Sequence, residues 1–584
     1  MTTSVCLEAV SSRPGAARCE PAHTGESGVT RARRRIHRPH VARRPAVACR
    51  NGPGGRSVTQ SFDAVVVGAG FAGLYMLHRL RGLGLSVRVF EAGGGIGGTW
   101  YWNRYPGARC DIESLEYSYQ FSEELQQEWE WTERYATQPE ILRYLEHVAD
   151  RFDLRRDVEL ATRVVAARFD DASARWRVET ERGSATARLC IFATGCLSAA
   201  NVPRIPGLER FGGATYHTGR WPHAGVDFTG LRVGVVGTGS SAIQSIPRIA
   251  EQAAQLFVFQ RTPNYSVPAH NRPLDPGEVR RVKADYAGFR RRNAALPFGA
   301  NFPPGERAAF DVDEAERARE YEARWRAGGL AFFTSFADLI VDRAANETAA
   351  EFVRAKIRSI VRDPAVAELL APEQVIGCKR LCVDTDYYAT FNRPNVTLVD
   401  VAAAPIEEIL PDGLRTARAV YPLDAIVFAT GFDAMTGAVL AVDVRGAGGR
   451  SLREKWSEGP RTYLGLGTAG FPNLFLITGP GSPSVLSNMV PSIEQHVDWI
   501  ADCIAWMDAH GKTRIDATPA AEDAWVAHVN EVANGTLYPS CNSWYLGANV
   551  PGKPRVFMPY LGFPPYVEKC NDVAAKGYEG FALA

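Results

Sequence analysis

Two kinds of apolar pattern alternate along the chain. Short unbroken runs rich in β-branched and aromatic residues occur at 63–67 (DAVVV), 86–90 (SVRVF), 190–193 (CIFA), 231–236 (LRVGVV), 256–259 (LFVF) and 425–429 (AIVFA). Each is too short for a helix, and in all but 86–90 apolar residues dominate instead of alternating with polar ones. That pattern predicts strands of a parallel sheet covered on both faces. From 272 to 374 the pattern changes to Arg-, Ala- and Glu-rich sequence with helical periodicity and few strand signals, which predicts a helical insertion. No apolar run reaches 18 residues, so no membrane span is expected.

What stands at the ends of these strands carries chemistry. The strand at 63–67 runs into Gly68-Ala-Gly70-Phe-Ala-Gly73, a helix-like stretch follows to about Leu83, and the next strand ends at Glu91. A G-x-G-x-x-G pattern is weak alone and strong in this βαβ setting. Gly68 permits the tight turn, Gly70 admits a pyrophosphate close to the backbone, and Gly73 lets helix and strand pack closely. The helix N-terminus offers free N–H groups to phosphate. Glu91 is placed to accept from a ribose 2′-OH, which must then be free, as in FAD or NAD. A second fingerprint, Gly237-Thr238-Gly239-Ser240-Ser-Ala242, follows the strand at 231–236, but its next strand ends in Gln260-Arg261-Thr262 with no acid. A guanidinium and a hydroxyl there suit a 2′-phosphate, hence NADP(H). One ribose-diol site and one 2′-phosphate site imply a flavin reduced by NADPH. The expected fold class is α/β, with two Rossmann-like dinucleotide-binding domains, one for FAD and one for NADP, and a helical insertion. The near-identical endings Ala193-Thr194-Gly195 and Ala429-Thr430-Gly431 suggest duplicated modules with domain crossings soon after each. The expected division is 61–200 and 441–584 for the FAD domain, 201–271 and 375–440 for the NADP domain, and 272–374 for the insertion.

Charge and cysteine content narrow the reading further. Residues 1–60 hold eleven Arg and three Glu, a balance of +8 in a chain of net +1, leaving the remainder at about −7. That gives no reason to expect nucleic acid as a partner. The same sixty residues lack apolar periodicity and any signal-peptide core, and are expected to be a disordered Arg-rich tail or a start-site artefact. The eleven Cys include no C-x-x-C, and Cys378 and Cys382 have no second pair or His beside them. Metal binding is therefore not expected, and a reduced, cytoplasmic protein is the default.

Two longer motifs point to a family. Phe211-Gly-Gly213-Ala-Thr-Tyr-His217-Thr-Gly-Arg-Trp221-Pro222 and Gly97-Gly98-Thr99-Trp100-Tyr-Trp-Asn-Arg-Tyr105-Pro106-Gly107-Ala-Arg109-Cys-Asp111 fill every defining position of two Baeyer–Villiger monooxygenase patterns. The chain resembles that family, the cyclohexanone and phenylacetone monooxygenase group, from about residue 61 onward. The resemblance implies oxidation of a ketone to an ester or lactone by NADPH and O2 through a C4a-peroxyflavin. The segment Ile376-Gly-Cys-Lys379-Arg380 resembles the family segment with the active-site Arg, making Arg380 the expected cation over the flavin, with Asp111 orienting it. A helix-capping role for Asp111 stays open. The resemblance also places Thr99, Trp100, Arg109, Tyr117 and Val164 around FAD and Lys379 beside Arg261 and Thr262 on the 2′-phosphate. It further puts Trp544 at the nicotinamide ribose, and a core Trp there remains an alternative. Phe211, Gly213, His217, Trp221 and Pro222 are expected to couple domain movement to the nicotinamide from a linker between domains, His217 as a structural residue and not as an acid–base group. The Gly/Pro-rich stretch 479–489 is expected to line the pocket. No protein partner is implied beyond the small-molecule ketone and O2. The rival readings are an N- or S-oxygenating flavin monooxygenase, an NADPH oxidase or a non-catalytic flavin-binding protein. A disulfide reductase would need a cysteine pair beside the flavin, and the sequence shows none.

Overall fold

The computed structural model describes residues 60–584; the Arg-rich tail lies outside the described residues. The first sheet has eight strands and is built around Gln60–Val67, which pairs in parallel with Val87–Phe90 on one side and Gly183–Phe192 on the other. Val65 and Val66 are fully buried, as a strand covered on both faces requires. Helix Phe71–Gly82 makes the crossover. Strands Val164–Asp170, Arg175–Thr180 and Gly183–Phe192 are antiparallel neighbours, and the first two show no unbroken apolar run in the sequence. The late strands Asp443–Arg445 and Leu474–Leu476 return to this sheet.

The second sheet has five strands, all parallel, in the order Val396–Asp400, Gln255–Gln260, Arg232–Val236, Ala425–Phe428 and Ala214–His217. Residues 272–374 carry the helices Pro276–Ala284, Tyr286–Ala294, Glu314–Ala327, Arg343–Ile360 and Pro364–Leu370 and contribute no strand. Among the described residues, no helix is long and apolar enough to cross a membrane.

Two buried acids join this insertion and the long helix Met489–Ala509 to the first nucleotide domain. Glu116 accepts from the backbone N–H of Asn301 at 2.7 Å and from Asn293 Nδ2 at 3.1 Å, while Glu494 accepts from the N–H groups of Gln120 and Phe121. Burial pushes each carboxyl from 4.5 up to about 8. An unfolded chain releases these protons near 4.5, whereas the folded chain holds them until about 8. The unfolded state therefore binds fewer protons in that window, and stability falls as pH rises through it. Glu116→Gln, which cannot ionise, is expected to flatten the fall in Tm between about pH 5 and about pH 8. An unchanged slope in thermal melts across that range contradicts the assignment.

Candidate active site

The first glycine turn is shaped by close backbone contact. Gly68 has φ +107°, and a Cβ there would lie 2.5 Å from the carbonyl oxygen of Ala193. A Cβ on Gly73 would lie 1.8 Å from the carbonyl oxygen of Gly68. Gly70 faces the Cα of Gly98, where a Cβ would come within 3.3 Å, so the turn and the 97–99 loop lie against each other. Glu91 accepts from the N–H of Ala69 at 2.8 Å and of Gly93 at 2.6 Å, one bond to each oxygen. A carboxylate oxygen has a second lone pair, which leaves room for ribose hydroxyls. Thr99 is exposed at the start of the short helix Thr99–Trp102. Trp100 is buried and donates its indole N–H to the Tyr117 hydroxyl at 3.2 Å. Val164 is buried at the start of its strand.

The second turn repeats the first. Gly237 has φ +115°, and its Cβ would lie 2.5 Å from the carbonyl oxygen of Ala429, the counterpart of Ala193. Ala242 is fully buried in the helix Ser240–Ala250. A Cβ on Gly239 would meet nothing within 4 Å, so no packing within the protein demands a glycine there and the open space suits an approaching phosphate. Thr238 Oγ1 donates to the carbonyl of Thr262 at 2.9 Å, and Ser240 Oγ lies 3.2 Å from Cys382 Sγ. Arg261 and Thr262 are exposed where strand Gln255–Gln260 ends. Burial and then the neighbouring Arg261 lower the pKa of Lys379. Both cations are available to a dianion: among the described residues, no acid lies within salt-bridge distance of either. Arg261→Ala is expected to raise KM for NADPH by roughly tenfold or more and to leave KM for NADH nearly unchanged, because only NADPH carries the 2′-phosphate. Steady-state kinetics with both nucleotides checks this, and equal effects on the two contradict it.

Arg380 and Asp111 form an ion pair. Arg380 donates to Asp111 Oδ2 from Nε at 3.1 Å and from Nη2 at 2.9 Å, and from Nη1 to the carbonyl of Val485 at 2.8 Å. Burial alone would lower the arginine pKa, but Asp111 and Tyr545 beside it raise it above its ordinary value, so the guanidinium keeps its charge. Residues 111–116 form no helix, which removes the capping role for Asp111. The Arg109 guanidinium pairs with Glu133 at 3.2 Å, and its carbonyl accepts from Gln244 on the second nucleotide helix at 3.1 Å. Arg380 lines a cavity of about 520 Å³, counting its open mouth, whose walls include Phe298 and Phe302 from the insertion and Leu486 and Ser487 from the Gly/Pro-rich stretch. Its lining of aromatic and aliphatic side chains with a few polar groups suits a small-molecule ligand.

The fingerprint residues lie in and beside the second sheet. His217 ends the edge strand Ala214–His217, which corrects its expected place in a linker. Its Nδ1 accepts from Gly219 N–H at 2.9 Å, and burial pushes it down to about 4, so the ring is neutral at neutral pH. A Cβ on Gly213 would strike the Asp424 carbonyl and the Phe211 ring. Trp221, just before Pro222, is buried and donates its backbone N–H to the Trp102 carbonyl at 3.3 Å, joining the two sequence motifs. Trp544 is half-buried, with its ring 4.2 Å from that of Tyr545.

Several residues of the site carried no sequence signal. Tyr538 and Tyr545 line the cavity beside Arg380, and Cys378 is disulfide-bonded to Cys541 across 163 positions. The expectation of reduced cysteines with no pair near the site is therefore corrected. Cys378 stood out in the sequence two residues before Arg380, but nothing local marked Cys541 as its partner. The remaining described cysteines are free and buried.

Known proteins share this architecture. Residues 65–284 match the pyridine nucleotide-disulphide oxidoreductase family model, a segment containing neither Cys378 nor Cys541. A Baeyer–Villiger monooxygenase of Pseudooceanicola batsensis is 43% identical over 531 residues, covering 90% of this chain and 96% of that protein. The chain belongs to the Baeyer–Villiger monooxygenase family. A phenazine N-monooxygenase of Lysobacter antibioticus is also 43% identical, over 89% of this chain and 97% of its own length. Among solved structures, an oxidized steroid monooxygenase bound to NADP is 56% identical and superposes with a TM-score of 0.86, covering 90% of this chain and 99% of that one. The Baeyer–Villiger assignment favours oxygen transfer over the disulfide-reductase reading, even with a cystine near the cavity.

Proposed function

We propose that this Baeyer–Villiger monooxygenase binds FAD on the 68–73 turn and NADPH on the 237–242 turn, and uses O2 to convert an apolar ketone into an ester or lactone. The observation that carries the reading is the Arg380 guanidinium, fixed by Asp111 and the Val485 carbonyl at the wall of a largely apolar cavity. Bound flavin, once reduced by NADPH, supplies the activation of O2.

The protein's own groups do the rest. Gly70 and the start of helix Phe71–Gly82 present N–H groups to the FAD pyrophosphate, Glu91 holds its ribose, and Thr99, Trp100, Arg109, Tyr117 and Val164 form the surrounding shell. Thr238, Gly239 and Ser240 do the same for NADPH, while Arg261, Thr262 and Lys379 select its 2′-phosphate. Trp544 stands near the nicotinamide end. The Arg380 fork stabilises negative charge on the reacting oxygens and on the adduct formed at the ketone carbonyl, in a site whose phenylalanines exclude water. Asp111 orients that fork. His217 is neutral and serves structure, keeping the Trp221 segment against the 97–111 loop. Reduction by NADPH is consistent with a cytoplasmic enzyme.

The similarity to a phenazine N-monooxygenase favours one second reading, oxygen transfer to nitrogen in a planar aromatic substrate. A panel of one cyclic ketone, one steroid ketone, one thioether and one phenazine, with products identified by mass, separates the two. Ester from a ketone supports the proposal, and N-oxide with no ester from either ketone replaces it.

A further inference from the structure

We propose that the Cys378–Cys541 disulfide is a positioning element for oxygen transfer: it holds the Arg380 segment against the C-terminal segment that walls the same cavity. The inference rests on the reading of Arg380 given above. Cys378 lies between Gly377 and Arg380, both cavity residues, and Cys541 lies between Tyr538 and Tyr545, which line the same cavity. The two Cα atoms are 6.0 Å apart. Among the described residues, no backbone hydrogen bond joins the two segments, and the Tyr545 side chain beside Arg380 is their non-covalent contact. Among the described residues, the backbone N–H and C=O groups of residues 538–548 hydrogen-bond only within 536–558. The segment is pinned at its ends, by Leu537 N–H on the Ile340 carbonyl, by Asn549, which donates to the Phe432 carbonyl and accepts from Asn201 Nδ2, and by Lys553 on Asp433 and Ala434. Its middle, two single-turn 3₁₀ helices at Tyr538–Ser540 and Trp544–Leu546, has the disulfide as its covalent tie to the catalytic side.

A dithiol breaks that tie by a balanced exchange. Two electrons and two protons pass to the cystine, the S–S bond opens to two thiols, and the reductant leaves as its own cyclic disulfide. Freed of the link, the 538–548 segment can move away from Arg380. Small misplacements at a reacting centre cost far more turnover than stability. The loss should therefore fall on oxygen transfer, while the nucleotide turns keep reducing the flavin. Cys378 is buried and Cys541 half-buried, so the bond opens slowly, and a reducing compartment would set the fraction of tightly coupled enzyme.

The test compares the oxidised holoenzyme, the holoenzyme reduced with dithiothreitol and then desalted, and the double variant Cys378→Ala/Cys541→Ala, all well below their Tm. Thiol labelling with mass detection reports the state of the pair. The expected result is an unchanged rate of flavin reduction by NADPH in all three. Ester per NADPH should fall, hydrogen peroxide should rise correspondingly, and kcat/KM for the ketone should drop about tenfold in the reduced and double-variant forms. Reoxidation should restore the wild type and leave the variant unchanged. Equal ester yield in the bonded and open forms overturns the inference and leaves the proposed function standing. No ester from the oxidised holoenzyme with any ketone counts instead against the proposed function. If the double variant does not fold, the reduced and reoxidised wild type decide alone.

Discussion

Arg380→Ala will accept hydride from NADPH at close to the wild-type rate and will form essentially no ester. The guanidinium lies beside the cavity and not in either glycine turn, so nucleotide binding and flavin reduction do not depend on it. What goes is the fixed positive charge for oxygen transfer, and removing a single preorganised donor of that kind typically costs about 10²–10³ in turnover. Arg380→Lys keeps a charge but cannot reproduce the fork that reaches Asp111 with two nitrogens and Val485 with a third, so it should recover little. The Arg380 and Asp111 side chains remain 23% and 26% exposed, so orphaning Asp111 costs less stability than breaking a fully buried pair. Stopped-flow reduction combined with product analysis separates the two steps. Ester at wild-type yield from the alanine variant removes Arg380 from the reaction.

The other large effect is on cofactor retention. Gly73→Ala places a methyl carbon 1.8 Å from the Gly68 carbonyl oxygen, which belongs to the turn that would cradle the pyrophosphate. Gly68 is itself held against Ala193, so neither backbone can yield without opening the turn. Purified Gly73→Ala should carry little or no FAD by absorbance, with a stability loss of about 1–3 kcal/mol or more. Gly82→Ala at the far end of the same helix meets nothing within 4 Å and serves as the control. It should keep full FAD occupancy and gain a few tenths to about 1 kcal/mol. Full flavin loading of Gly73→Ala would mean that the turn has another use.

Much of this site was legible in the sequence because its parts are local. A strand, a glycine turn and a helix start are contiguous, so Gly68, Gly70 and Gly73, and later Gly237 and Gly239, announce backbone geometry within a few residues. Glu91 and Arg261 stand at strand ends whose position the turns already define. The pairing of Arg380 with Asp111 spans 269 positions and was reached only through resemblance to a family, since no local pattern marks a long-range ion pair. The antiparallel arm at Val164–Asp170 and Arg175–Thr180 was missed because it mixes charged and apolar residues instead of showing an unbroken apolar run. His217 read as a linker residue because its strand, Ala214–His217, is short and lies at a sheet edge. Cys541 gave no signal at all. Its significance comes from folding the C-terminal segment over the cavity, which sets it opposite a cysteine 163 residues away.

Every residue role proposed here serves the transfer of oxygen from O2 to a carbonyl substrate. The most direct measurement is turnover of a cyclic ketone with NADPH under ¹⁸O₂, with the product examined by mass spectrometry. The expected product is a lactone carrying one ¹⁸O atom, in the ring position next to the former carbonyl carbon. NADPH oxidation that yields only labelled hydrogen peroxide and unchanged ketone, across linear, cyclic and steroid substrates, would contradict it.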